Sequence, residues 1–312
     1  MVHMLISLII LGIVGGMFIP LQTSVNAALS SYTRSTIYTS TISFGVGSLF
    51  LVGLNLLFNP ETFSISFFSE QTYNSYWVTG GMLGVTYLIG NLLLLPRLGA
   101  SLTVITTLSG QMVMGVIIDA FGWLGAPVQP FTLFKAIGIA LLIAGIILMN
   151  ITRRNGQRQG SIAFYGWLIA GFIVGWGPPI QTAINSLLSK QIASTLMASF
   201  VSYTVGFIVL LIIKLITNRT FTLEQQTNQY GPLKPTYFIG GALGVTFIVA
   251  NIYLMPHLGA ALTIVAGMIG QMMMALIIDQ FGILGIRKSK ITSQKIFGMI
   301  IIIIGVIVLR FL

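Results

Sequence analysis

The chain has 312 residues, of which 55% are hydrophobic and only 6% charged, and its mean hydropathy is +0.97. Because a soluble domain carries roughly a quarter charged residues, this composition excludes an ordinary water-soluble protein. The net charge is +10, but the basic residues are scattered through short loops, so we predict no nucleic-acid partner. The chain contains no cysteine, which excludes disulfides and thiol chemistry.

Apolar segments of about twenty residues, each long enough to cross a bilayer, follow one another along the chain. The first half is predicted to span the membrane at residues 4–29, 38–58, 76–95, 99–118 and 132–150. A polar linker at residues 151–161 precedes five more spans, at residues 162–188, 192–217, 236–255, 259–278 and 292–312. We therefore expect an all-α integral membrane protein with ten transmembrane helices, five in residues 1–150 and five in residues 162–312.

The second half repeats the first. The segment GQMVMGVIIDAFGWLG at residues 110–125 returns as GQMMMALIIDQFGILG at residues 270–285. Between residues 80–125 and 240–285, about 25 of 46 positions are identical. Because a unit with an odd number of crossings delivers the next copy upside down, we expect two inverted five-helix repeats.

Loop charges predict the orientation. With the spans above, all of the 15 Lys and Arg residues except Lys135, Lys190 and Arg310 fall on one side of the membrane. Basic residues accumulate in cytoplasmic loops, so the linker is predicted to be cytoplasmic and both termini outside. This pattern indicates a multi-pass protein of the plasma or inner membrane.

Six amide side chains recur at equivalent positions of the two halves: Gln22, Asn26, Gln111, Gln181, Asn185 and Gln271. The glutamine and asparagine of each first helix are four residues apart, so they share one helix face. Glycines and prolines precede both pairs, and such paired interruptions point to a transporter's binding site. We expect the amides to contact substrate and both first helices to be kinked or unwound. The alternatives are interhelical hydrogen bonds for the amides and simple packing kinks for the helices.

Aromatic and acidic residues supply further candidates. Trp176, Tyr203 and Phe44, which matches Tyr203 in the repeat, could stack on a substrate or pack between helices. Asp119 and Asp279 recur in D-x-F-G-x-L-G at span ends, where they are predicted to act in gating or coupling, or as elbows that bind turn amides. No nucleophile, metal-ligand or nucleotide-binding constellation is present in the sequence, so we predict no enzyme activity, no cofactor and no metal.

Several motifs keep their spacing in both halves: Gln-x-x-x-Asn in the first helix, GG-x-LG at residues 80 and 240, P-x-LGA at residues 96 and 256, then GQ and D-x-FG. This pattern resembles the YdcZ-type family of the drug/metabolite transporter superfamily, here as a fused pair of five-helix units. The resemblance implies that helices one, three and four of each half surround a central cavity, with the six amides around it and the fifth helices outside. The small multidrug exporters of that superfamily carry a glutamate in the first span, which this chain lacks, so their proton-antiport mechanism is not implied.

The combined prediction is a secondary transporter that moves a small polar or amphipathic metabolite or drug by alternating access at a midplane site. Its predicted partners are a small-molecule substrate and the lipid bilayer, and a homodimer remains an open alternative to a monomer. Two other functions stay open: a passive channel or pore for a small solute or ion, and a non-transporting membrane receptor or assembly protein.

Overall fold

A computed structural model describes residues 2–150, 162–217, 233–281 and 292–311. Within these ranges the regular structure is helical and contains no strand. The first half forms α1 (Val2–Thr33), α2 (Thr36–Phe58), α3 (Ile65–Glu70), α4 (Tyr76–Phe121) and α5 (Leu133–Asn150). The second half forms α6 (Ile162–Val174), α7 (Gly177–Gln191), α8 (Thr195–Thr217), α9 (Gly240–Leu258), α10 (Ala260–Phe281) and α11 (Ser293–Phe311). The predicted linker, residues 151–161, lies outside the described residues.

Seven helical segments of the described chain are long and apolar enough to cross a membrane: His3–Ser30, Thr36–Phe58, Thr103–Phe121, Ile162–Gln191, Thr195–Thr217, Pro235–Leu258 and Ala260–Ile278. Large apolar side chains are exposed on the outside of these segments, among them Leu49, Phe58 and Ile169. A surface of this kind requires an apolar solvent. The chain is therefore an all-helical, multi-pass membrane protein, as predicted.

Helix α4 doubles back on itself. Its 46 residues run from Tyr76 to Phe121, yet Nε2 of Gln111 lies 3.1 Å from the hydroxyl oxygen of Tyr87. A straight helix would separate two residues 24 positions apart by about 36 Å. Residues 76–94 and 103–121 are therefore two arms that lie side by side, and we call them the first and second arms of α4.

The first helices of the two halves differ. The second half has a break between α6 and α7, where Gly175 and Trp176 interrupt the helix and two prolines occupy the first turn of α7. Proline is tolerated there because a first-turn N–H has no partner within the helix. In contrast, α1 continues through Gly15, Gly16 and Pro20. An interruption is thus found in the second half, whereas in the first half the helix continues past Pro20, which removes a single backbone hydrogen bond.

The fifth helices, α5 and α11, pack against each other in opposite directions. A Cβ added at Gly145 would lie 2.7 Å from the carbonyl oxygen of Gly298, and one added at Gly305 would lie 3.0 Å from that of Gly138. Gly305 is the repeat equivalent of Gly145, and Gly298 is that of Gly138, so each contact is the repeat counterpart of the other. Helices α5 and α11, which are equivalent in sequence, are therefore antiparallel and related by a pseudo-two-fold axis.

The second arm of α4 and helices α5, α10 and α11 share an apolar core. It includes the fully buried side chains of Met112, Leu142 and Val265, and Met268 and Ile302 are about 1% exposed. A core of this kind joins the two halves through side chains alone. The polar residues lie elsewhere, where α1 and α7 meet the third helix of the opposite half.

Candidate functional site

Helix α9 presents one face that receives α1 of the first half. Gly240, Gly244, Phe247 and Asn251 lie on this face, because they are spaced by four, three and four residues. We call these four residues the α9 stripe. A Cβ added at Gly240 would overlap Oδ1 of Asn26, and one at Gly244 would lie 2.5 Å from Nε2 of Gln22.

The first arm of α4 presents the equivalent face to α7 of the second half. Its residues Gly80, Gly84, Tyr87 and Asn91 form what we call the α4 stripe. A Cβ added at Gly80 would overlap Oδ1 of Asn185. One added at Gly84 would lie 2.7 Å from Nε2 of Gln181. Each contact on α9 therefore has its counterpart on α4.

These paired contacts show how the halves interlock. The first helix of each half inserts its glutamine and asparagine against glycines in the third helix of the other half. Such reciprocal contacts are characteristic of an interface with two-fold symmetry. The glycines are needed because any larger residue would occupy the space that the amide side chains fill. Four of the six predicted amides thus lie at the junction between the halves.

The two asparagines already have hydrogen-bond partners. Nδ2 of Asn26 donates to Oγ of Ser43 at 3.2 Å, and Nδ2 of Asn185 donates to Oγ of Ser202 at 3.0 Å. Each bond joins the first and second helices of one half, which fits the interhelical alternative for these residues. In contrast, the side chain of Gln22 has no hydrogen-bond partner among the described residues, and neither has that of Gln181.

Gln111 and Gln271 occupy different environments. Nε2 of Gln111 donates to the hydroxyl oxygen of Tyr87 at 3.1 Å. Gln271 is partly exposed and its side chain has no hydrogen bond within the described part of the chain. The two glutamines are therefore equivalent in the repeat but are not hydrogen-bonded to each other.

The aromatic pair of Phe44 and Tyr203 lies on the pseudo-two-fold axis. The two ring centroids are 5.1 Å apart and the rings are inclined by 37°. A Cβ at Gly47 would overlap the Tyr203 ring, and one at Gly206 would overlap the Phe44 ring. The Tyr203 hydroxyl also borders Gly244, beside Nε2 of Gln22. This pair therefore forms an aromatic wall next to the amides.

Trp176 lies at the break between α6 and α7. Its ring meets that of Phe172 edge-on, with centroids 6.1 Å apart. It also packs against the apolar cluster that contains Met114 and Ala183. Nε1 of Trp176 is sealed from solvent and has no hydrogen-bond partner among the described residues. An unpaired indole N–H is costly inside a membrane protein, so Trp176 has an unused donor at the break.

Asp119 joins the two halves. Its carboxylate is 3% exposed, and Oδ1 accepts a hydrogen bond from the N–H of Ala260 at 2.6 Å while Oδ2 accepts from that of Ala261 at 2.9 Å. These N–H groups belong to the first turn of α10, where backbone donors lack partners within the helix. These two partners lie in the other half, a contact that the sequence did not predict.

The turn before α10 is shaped to admit this carboxylate. Gly259 has a φ of +81°, and an added Cβ would lie 3.0 Å from both oxygens of Asp119. Nε2 of Gln129 donates to the carbonyl oxygen of Leu258 at 3.2 Å and closes the same turn. The side chain of Asp279, the repeat equivalent of Asp119, lies outside the described residues.

The comparisons with known proteins identify the family. The chain matches the family described as "Putative inner membrane exporter, YdcZ" twice, over residues 7–148 and 166–308. The protein therefore belongs to the YdcZ family of the drug/metabolite transporter superfamily, in a fused two-repeat form.

Solved structures give the same fold at low sequence identity. Matches extend to 27 chains, and one, described only as the crystal structure of a protein, has a TM-score of 0.69 and 14% identity over 96% of both chains. At this identity the likeness shows the fold alone. No curated protein matches the chain significantly in sequence.

Some residues of the site were not singled out from the sequence. They are Ser43, Ser202, Tyr87, Asn91 and Asn251. The serines are repeat equivalents, as are the asparagines, so repetition alone could have marked them. Tyr87 aligns with Phe247 in the repeat, and a polar residue that one half keeps and the other loses is also a visible signal.

Proposed function

We propose that the protein is a secondary transporter that exports a small polar or amphipathic molecule by alternating access. The observation that carries the proposal is the mirrored pair of stripes, with Gln22 and Gln181 each facing a glycine of the opposite half. Unpaired amides inside a membrane protein cost free energy unless a ligand or water meets them. The family's description as an inner membrane exporter favours the outward direction.

The membrane arrangement that we propose has ten spans in two inverted five-helix repeats. The units are residues 1–150 and 162–312, joined by a cytoplasmic linker at residues 151–161, with both termini outside. The antiparallel packing of α5 and α11 supports this inversion, because equivalent helices of an inverted repeat run in opposite directions. The two arms of α4 supply two of the ten spans.

Access would alternate by separating the halves at one face and then at the other. Asp119 supports this mechanism, because its carboxylate connects the second arm of α4 to α10 of the opposite half. By the repeat, Asp279 would make the corresponding contact at the other face. The two carboxylates would therefore act as gates, while Phe44, Tyr203 and Trp176 line the substrate path between them.

Transport is tested by counterflow with the purified full-length chain in proteoliposomes that are preloaded with an unlabelled metabolite extract and exposed to a labelled one. Saturable accumulation of a labelled solute is expected. Gln22→Leu or Gln181→Leu should lower the rate about tenfold, because an unpaired polar group costs about 1–3 kcal/mol. Gln71→Leu, the same change outside the stripes, should have no effect. Non-saturable flux without counterflow would instead support a pore, and binding without flux would support a receptor.

The absence of native cysteine allows a direct test of orientation. Single cysteines at Lys135 and Lys190 should react with a membrane-impermeant maleimide in intact cells. Those at Lys234 and Lys295 should react only after permeabilisation, because their loops are predicted to be cytoplasmic. Labelling of all four sites from outside, or a reversed pattern within one half, would contradict the inverted arrangement.

A further inference from the structure

The two halves differ in the polar residues at one end of each stripe and on the helix segment beside it. Four equivalent positions carry Tyr87, Asn91, Thr107 and Gln111 in the first half, but Phe247, Asn251, Gly267 and Gln271 in the second. Both amides are kept, whereas both hydroxyl groups are lost. The second half therefore retains the polar groups that need partners and lacks the side chains that provide them.

In the first half, both amides donate hydrogen bonds within α4. Nε2 of Gln111 donates to the hydroxyl of Tyr87, and Nδ2 of Asn91 donates to the Tyr87 carbonyl oxygen at 2.9 Å. The Tyr87 hydroxyl also lies near the side chains of Asn91 and Thr107. Gln111 is 7% exposed. This cluster is closed, so an incoming molecule would have to break existing hydrogen bonds to use it.

In the second half, the equivalent amides lack these hydroxyl partners. Phe247 has no hydroxyl, and Gly267 has no side chain where Thr107 carries its own, so the Phe247 ring packs against the glycine. A Cβ added at Gly267 would lie 3.1 Å from the Phe247 ring and 3.9 Å from Oδ1 of Asn251. Asn251 is 7% exposed, and neither its amide nor that of Gln271 has a hydrogen-bond partner among the described residues.

We propose that the polar group of the transported molecule binds in the second half only, between the amides of Asn251 and Gln271 and against the ring of Phe247. The first-half equivalent is a closed structural cluster. Each free carboxamide offers donors and an acceptor, so together they match a group that both donates and accepts. A carboxamide or hydroxyl group next to a flat apolar ring has this chemistry.

The surroundings favour an uncharged molecule. The α9 stripe contains no ionisable residue, and none occurs at positions 263, 267, 271 and 274 of α10, which share one helix face. A carboxylate or ammonium group would lose its hydration without gaining a counter-charge, which is expensive inside a membrane protein. An uncharged amide would lose less and would exchange its water hydrogen bonds for those of Asn251 and Gln271.

The test uses benzamide as the probe, with benzoate as the charged molecule of the same shape. Binding to the purified full-length chain is measured by saturation-transfer NMR. The wild type should bind benzamide at least tenfold more tightly than benzoate. Phe247→Tyr should weaken benzamide binding at least fivefold, because the new hydroxyl would engage Gln271 as Tyr87 engages Gln111. The reciprocal change, Tyr87→Phe, releases Gln111 from its hydrogen bond and should therefore not weaken benzamide binding.

Asn251→Leu gives an independent check, since it removes an amide at nearly constant volume and should also weaken benzamide binding at least fivefold. Equal effects of Phe247→Tyr and Tyr87→Phe, or the absence of benzamide binding to a correctly folded wild type, would overturn the proposal and leave water as the partner of these amides. Because the proposal rests on the transport function, counterflow is measured on the same variants. If counterflow occurs but Phe247→Tyr and Tyr87→Phe have equal effects, only the one-sided site is refuted. If benzamide binding is one-sided but counterflow is absent, only the transport function is refuted.

Discussion

Replacing Gly270 by alanine is expected to destabilise the protein strongly. A Cβ at this position would overlap the carbonyl oxygen of Ile13 and lie 3.0 Å from the N of Met17, and both atoms belong to the backbone of α1. Backbone atoms cannot rotate away, so α1 and α10 would have to separate. Overpacking of this kind costs about 1–3 kcal/mol and occasionally more.

The melting temperature of the purified chain, followed by tryptophan fluorescence, should therefore fall by about 5 °C or more. Gly110→Ala should behave in the same way, because its Cβ would overlap the carbonyl oxygen of Phe172. Gly53→Ala is the matched control, since nothing lies within 4 Å of its added Cβ. Alanine is the better helix former by about 0.5–1 kcal/mol, so Gly53→Ala should leave the melting temperature unchanged or raise it. Equal melting temperatures for Gly270→Ala and Gly53→Ala would contradict the close approach of α1 and α10.

Most of the fold follows from features that are local in sequence. Apolar segments mark the helices because a lipid-facing helix must be apolar over about twenty residues, and α2, α5, α8 and α11 begin and end within a few residues of the predicted spans. The sequence repeat predicts that the chain forms two equivalent units that pack against each other. The continuity of α1 was not predictable, because similar glycines and prolines interrupt the equivalent helix of the second half between α6 and α7.

The contacts of the site are harder to predict, because they join distant residues. Asp119 binds amides 141 and 142 positions further on, and no local pattern points to them. The closed cluster at Gln111 depends on the turn within α4, which brings Tyr87 beside it. The repeat predicts that Gln111 and Gln271 are equivalent, but equivalence in sequence does not imply equal partners, since the neighbours Tyr87 and Phe247 differ.

Asp119 is expected to hold one face of the protein closed, and its removal should show this in two measurements. Asp119→Ala deletes two charge-assisted hydrogen bonds to the first turn of α10, which stabilise a helix N-terminus. We expect a loss of about 2–4 kcal/mol and a lower melting temperature. Asp119→Asn keeps one acceptor oxygen and should lose less than half as much.

The second measurement separates a gate from a simple helix cap. Ser186 is buried in α7, which packs against the turn that follows the second arm of α4. A cysteine at Ser186 should react slowly with an impermeant maleimide in intact cells. Adding Asp119→Ala should raise that rate several-fold, because the halves would separate more often at this face. Adding Gly53→Ala should leave it unchanged. If Asp119→Ala lowers the melting temperature without changing the labelling rate, then Asp119 stabilises α10 but does not control access, and the gate must lie elsewhere along α1 and α7.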